Sequence, residues 1–98
     1  MIKVENKRKY KGLGVYVGRP SSLGNPFKLE SESERAVVIA RYRKWLNEQP
    51  VTSRAKKELT RLIGEYKKTG RLTLICWCSP KACHADVIAE AIMRGAKE

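Results

Sequence analysis

All three cysteines and the only histidine of the chain fall in one window, Cys76-Trp-Cys-Ser-Pro-Lys-Ala-Cys-His84. Thiols and imidazoles carry nucleophilic, acid–base and metal chemistry, so this window is where chemistry is expected. Three readings fit it. In the first, Cys83 and His84 stand at a helix start, where free N–H groups and the helix dipole lower a thiol's pKa and favour anions. Cys83 is then a candidate nucleophile, partly thiolate at neutral pH, and His84 a candidate acid/base. Adjacent helix residues diverge, so the two need not touch. In the second reading, Cys76, Cys78, Cys83 and His84 supply three thiolates and an imidazole, the inventory of a structural zinc site. The spacing departs from paired Cys-x2-Cys knuckles, and the consecutive Cys83-His84 pair chelates awkwardly. No cofactor is therefore favoured, and zinc is the alternative. In the third, the cysteines are small hydrophobes, which suits Cys76 best.

A second constellation is Gly18-Arg-Pro-Ser-Ser-Leu-Gly-Asn-Pro-Phe27. Arg19 can fork onto a phosphate or carboxylate. Ser21, Ser22, Asn25 and the Gly24 backbone add hydrogen-bonding groups, and two prolines stiffen the segment. Arg19, Ser21, Ser22, Asn25 and, across the site, Cys78 are the candidate ligand- and phosphate-binding residues. The spacing is neither that of a Walker P-loop nor that of a dinucleotide fingerprint. A structural turn around a packed Phe27 is the plain alternative.

The elements that must position these groups follow from periodicity. Ile2–Glu5 alternates as a short edge strand, within a basic, partly flexible segment 1–11. Gly14–Gly18 is a second strand candidate. Ser31 followed by Glu34 has the capping-box spacing, and a helix is predicted from Glu32 to Glu48 with Val38, Tyr42, Trp45 and Leu46 buried. Pro50 ends it. Thr52 or Ser53 caps a second helix through about Lys68, burying Leu59, Leu62, Ile63 and Tyr66, and Gly70 stops it. Leu72–Cys78 is apolar on both faces and reads as a central strand covered on both sides, with Trp77 in the core opposite the cysteines. Ser79–Ala82 is a short strand-to-helix loop. A last helix starts near Cys83 and ends at Gly95. The result is a small single α/β domain over residues 1–98. It has a three- or four-stranded mixed sheet packed with about three helices, in the order β-β-α-α-β-α.

The formal charge is +11, from 21 basic and 10 acidic residues. The cations are spread along the chain, at Lys7-Arg8-Lys9 with Lys11, Arg41 to Lys44, Arg54 to Lys57, and Lys67-Lys68. This balance favours nucleic acid or phosphate-rich ligands through counterion release and steering. A solvated lysine-rich surface is the bland alternative. The aromatics are not interleaved with basic residues as in an RNA-recognition motif. No apolar run approaches the ~20 residues that span a bilayer, and Met1–Lys11 lacks the apolar centre of a secretory signal. An odd cysteine count with Cys76 and Cys78 too close for a disulfide framework suggests a reducing, cytoplasmic setting.

Tyr16-Val-Gly-Arg-Pro-Ser-Ser-Leu-Gly-Asn-Pro-Phe27, Tyr42-Arg-Lys-Trp-Leu46 and Cys76-x-Cys-x-Pro-x-x-Cys-His84 together resemble domain-of-unknown-function family 4326, a family of prokaryotes and their viruses. The resemblance runs from about Tyr16 to Ile92. Ala85 stands where glycine follows the Cys-His pair in that family. The window also resembles, more distantly, domain-of-unknown-function family 488, with Cys76, Cys83 and His84 aligned and Cys78 in place of a glutamate. Neither resemblance implies a named activity. The leading expectation is a domain that binds or acts on a nucleotide or nucleic acid in a pocket between the Arg19–Phe27 loop and the Cys78–His84 turn. A zinc-stabilised, non-enzymatic nucleic-acid-binding module and a mobile-element adaptor protein are the alternatives.

Overall fold

The structure, a computed structural model, describes residues 1–28, 30–78 and 81–97. Strand β1 is Ile2–Asn6, β2 Val15–Tyr16 and β3 Leu72–Cys76; the helices are α1 Arg35–Glu48, α2 Arg54–Thr69 and α3 His84–Ala96. A single 3-10 turn, Glu32–Glu34, precedes α1. The order β-β-α-α-β-α is as expected, and β3 is the central strand of a three-stranded sheet ordered β1-β3-β2.

The expected mixed sheet is corrected. Ile2 pairs with Leu72 and Asn6 with Cys76, while Val15 pairs with Leu74 and Tyr16 with Ile75, so both pairings are parallel. Alternating apolar residues say which strands bury a face but not which way they run. Here β1 and β2 never pair with each other, because β3 is inserted between them. Residues 7–14 must therefore cross two strand spacings, roughly 10 Å, before β2 begins.

Register assigns the two faces. Val4 and Val15 flank Leu74, and all three pack into the core with Cys76, Val17 and the buried stripes of the helices. Those stripes are Tyr42 and Leu46 of α1, Leu59 and Leu62 of α2, and Ile88 and Ile92 of α3. Removing such a side chain, as in Leu62→Ala, costs about 2–5 kcal/mol. Lys3, Glu5, Thr73, Ile75 and Tyr16 alternate onto the other face, and none of them belongs to that core. The strand expected to be covered on both sides thus has helices on one. Trp77, expected in the core, is 52% exposed just past the end of β3.

Helix ends are partly as expected. Ser53 Oγ accepts the Lys56 N–H at 3.1 Å, and Gly70 closes α2 in the left-handed conformation at φ 75°. The Ser31–Glu34 capping box does not form. Ser31 Oγ meets Ser33 Oγ at 3.0 Å, and the 3-10 turn starts the helix instead. Gly95 is not a stop. It lies inside α3 because an added Cβ would stand 2.5 Å from Ile63 Cδ1 of α2, so its role is close helix approach.

Candidate functional site

At the carboxyl end of β3 the chain turns into α3. The Lys81 N–H bonds the Cys78 carbonyl at 2.8 Å; Ser79 and Pro80 of the expected loop lie outside the described residues. Cys83 is the N-cap of α3 in extended backbone, and it forms a capping box that its residue type had not suggested. Its N–H donates to Asp86 Oδ2 at 3.0 Å, and its thiol accepts the Asp86 N–H in return. A carboxylate already occupies the place an anion would take at this helix start. The start of α3 is for that reason a weaker anion site than the helix dipole alone suggests.

The cysteines separate by environment. Cys76 and Cys83 are buried with their sulfurs 3.2 Å apart, while Cys78 is half-buried. The Cys83 thiol is pushed up, first by its hydrogen bond with the Cys76 thiol and then by burial. Both effects run against the partly ionised thiolate expected from the helix dipole. Sulfur contact and desolvation outweigh the Ala85 backbone N–H, which acts the other way.

His84 is the fastener of the site. It is 8% exposed, its Nε2 lies 2.7 Å from the Val17 carbonyl oxygen, and its ring meets Tyr42 edge-on at 5.1 Å. A carbonyl only accepts, so Nε2 carries the proton and the neutral ring has its lone pair on Nδ1. Burial holds the His84 pKa below its ordinary value, with the Arg19 charge acting in the same direction. The Val17 bond and Asp86 oppose that shift. The alternative zinc ligands Cys76, Cys78, Cys83 and His84 are not gathered into one group. Among the described residues, no three His, Cys, Asp or Glu side chains are grouped to hold a metal.

The glycine-rich loop is fixed from three sides. Val17 is bonded by His84, the Leu23 carbonyl accepts the buried Tyr42 hydroxyl at 2.7 Å, and the Arg19 carbonyl accepts the Tyr16 hydroxyl at 2.7 Å. Inside the loop, Ser21 N–H bonds Gly18 O, Gly24 N–H bonds Ser21 O, and Asn25 Oδ1 accepts the Phe27 N–H. This loop and the turn into α3 do meet. Asn25 lines one cavity with Cys78, Cys83, His84 and Arg35, of about 40 Å³. That is room for a water or two rather than the roughly 300 Å³ or more of a small-molecule pocket. Arg19 is exposed and does not line it; nor do Ser21 and Ser22.

Arg35 is the residue sequence reasoning missed. Its side chain is 16% exposed, bonds Glu32 through Nε and Nη2, and reaches the Ala82 carbonyl at 2.8 Å through Nη1. It joins α1 to the turn beside Cys78. Its pKa is raised, first by the Glu32 bond and then, against burial, by Cys78; Glu32 is drawn down to about 2 by Arg35 and Lys81. A cation three places from an acid reads as an ordinary surface pair, which is why Arg35 gave no signal.

Fold and site together define a small α/β domain with a three-stranded parallel sheet and a loop-and-turn corner at the carboxyl end of its central strand. The chain matches the family described as Domain of unknown function (DUF4326) over residues 2–94, and it belongs to that family. No curated protein and no solved structure matches the chain. The likeness to family 488 is not shown by this match. Among the described residues no helix is long and apolar enough to cross a membrane.

Proposed function

We propose that this domain binds the phosphate of a nucleotide, free or at the end of a nucleic acid, through the Arg19–Asn25 loop beside the turn into α3. One observation carries the reading. Within a single fixed loop, the Arg19 guanidinium has no hydrogen-bond or ion-pair partner among the described residues, and Ser21 Oγ is buried without one. Buried hydroxyls nearly always have a partner, and an unmatched one two residues along the loop from an unpaired cation suits an anion. Asn25 uses its oxygen on Phe27 and keeps its amide N–H groups to donate. Cys78 lines the cavity beside Asn25, and Ser22 follows Ser21 in the loop.

In this reading Cys83 and His84 are wall and fastener. Binding is what the geometry supports; a thiol pushed up by its neighbour is a poor nucleophile at neutral pH. The test is a titration of the full chain with a nucleoside monophosphate and with inorganic phosphate, followed by amide NMR. Shifts should centre on residues 19–25, and Arg19→Ala should weaken binding by roughly tenfold, the worth of a charge-assisted hydrogen bond. Binding that Arg19→Ala leaves intact, or shifts that avoid the loop, would remove the proposal.

A further inference from the structure

The sheet face turned away from the helices carries a second set of groups, which the corner does not use. Register puts Lys3 beside Thr73, Glu5 beside Ile75, and Tyr16 beside Ile75, with Trp77 next along the same side. The exposed indole is held in place. Trp77 Nε1 donates to the Tyr16 hydroxyl at 3.0 Å, and that hydroxyl donates to the Arg19 carbonyl. Lys7 Nζ lies 5.0 Å from the Tyr16 ring centre and 5.9 Å from that of Trp77, and the Arg8 guanidinium carbon lies 5.9 Å from Trp77. A single exposed apolar side chain needs no explanation. An aromatic pair fixed on an open sheet face, with two cations over the rings and Lys9 and Lys11 following, is a different matter.

We infer that this face binds single-stranded nucleic acid, with Trp77 and Tyr16 as stacking surfaces for bases and Lys7 and Arg8 as partners for the flanking phosphates. Stacking needs bases free of a duplex, and rings fixed beforehand lose little freedom on binding. The face also offers room. A cavity of about 840 Å³ opens at the amino end of its strands, lined by Lys3, Gly14, Thr73 and Arg71 and, from α2, by Glu65 and Thr69. Charge complementarity selects the occupant: Lys3, Lys7, Arg8 and Arg71 outnumber Glu5 on this face and Glu65 at the cavity, and a polyanion follows such a track.

The inference stands apart from the corner, and the two fail separately. A mononucleotide reports on residues 19–25, whereas this surface is read with an oligonucleotide and the indole. The experiment measures binding of the full chain to fluorescently labelled dT15, rU15 and a 15-base-pair duplex by anisotropy, with tryptophan quenching alongside. Single strands should bind more tightly than the duplex and quench Trp77. Trp77→Ala should weaken binding about fivefold or more, the worth of one stacked base, and Trp77→Phe should restore part of it. Lys57→Ala, on the exposed side of α2, should change it less than about twofold. Whichever of dT15 and rU15 binds more tightly identifies the sugar the face prefers. Equal binding by Trp77→Ala and the native chain, duplex binding as tight as single-strand binding, or no binding of either single strand would overturn the inference.

Discussion

His84 decides the character of the site by where its proton sits. The Nε2–H bond to Val17 fixes the neutral tautomer, and a second proton would put a cation among Tyr42, the buried start of α3 and the Arg19 charge. The folded pKa is therefore depressed below 6.5 while the unfolded one is not. The unfolded chain binds that proton more readily, so the contribution to stability is complete above about pH 6.5 and is lost as pH falls through the folded value. His84 is the only histidine, and no other side chain ordinarily titrates in this window. The urea midpoint of the native chain should fall between pH 7 and pH 5, and His84→Gln should flatten that part of the profile. A slope unchanged in His84→Gln would locate the titration elsewhere. The proximity of Cys83 and His84 was legible in the sequence, but their roles were not. Whether a thiol at a helix start is activated depends on what its sulfur touches, and Cys76 comes from another element.

Elements were legible wherever periodicity and local chemistry agreed. α2 shows this best, with Ser53, Leu59, Leu62 and Gly70 each doing what its type suggests. The two helical glycines then make a contrast that propensity alone misses. A Cβ on Gly64 meets nothing within 4 Å, whereas one on Gly95 stands 2.5 Å from Ile63 Cδ1. Gly64→Ala should stabilise the chain by about 0.5–1 kcal/mol, since it removes unfolded-state freedom at no steric cost. Gly95→Leu should destabilise it by about 1–3 kcal/mol by overpacking the α2–α3 contact. Denaturant midpoints of the two variants should move in opposite directions. A gain in both would mean that α2 and α3 are not packed at Gly95. The capping box of α3 was missed for a related reason: cysteine is not a usual N-cap residue, although Asp86 stands at the correct spacing.

Across the whole molecule, a charge of +11 rests on a fold whose three-stranded sheet has helices on one face. Parallel sheets are ordinarily covered on both. Lys7 and Arg8 stand over the aromatic rings of the open face, and Lys3 and Arg71 line the cavity at its other end. If three of them neutralise phosphates of a single strand, log K should fall against log salt with a slope of about −2. Repeating the dT15 titration over a range of salt concentrations measures it, and Lys7→Ala with Arg8→Ala should bring the slope towards zero. Binding indifferent to salt would exclude a polyanion as the ligand of this surface.

By itself the sequence determined the family, the element order, the helix stripes and the neighbourhood of the candidate corner. These depend on local spacing, on side-chain type and on motifs that survive being read in a line. Only the tertiary structure decided strand direction, the open face, and the environments of Cys83, Arg35 and Trp77. Each of those rests on residues that different elements bring together: β1 across from β3, Cys76 against Cys83, Glu32 and Arg35 against the turn into α3, Tyr16 against Trp77. A pKa, a stacking surface or an unmatched hydroxyl is set by what surrounds a group, and folding chooses those surroundings.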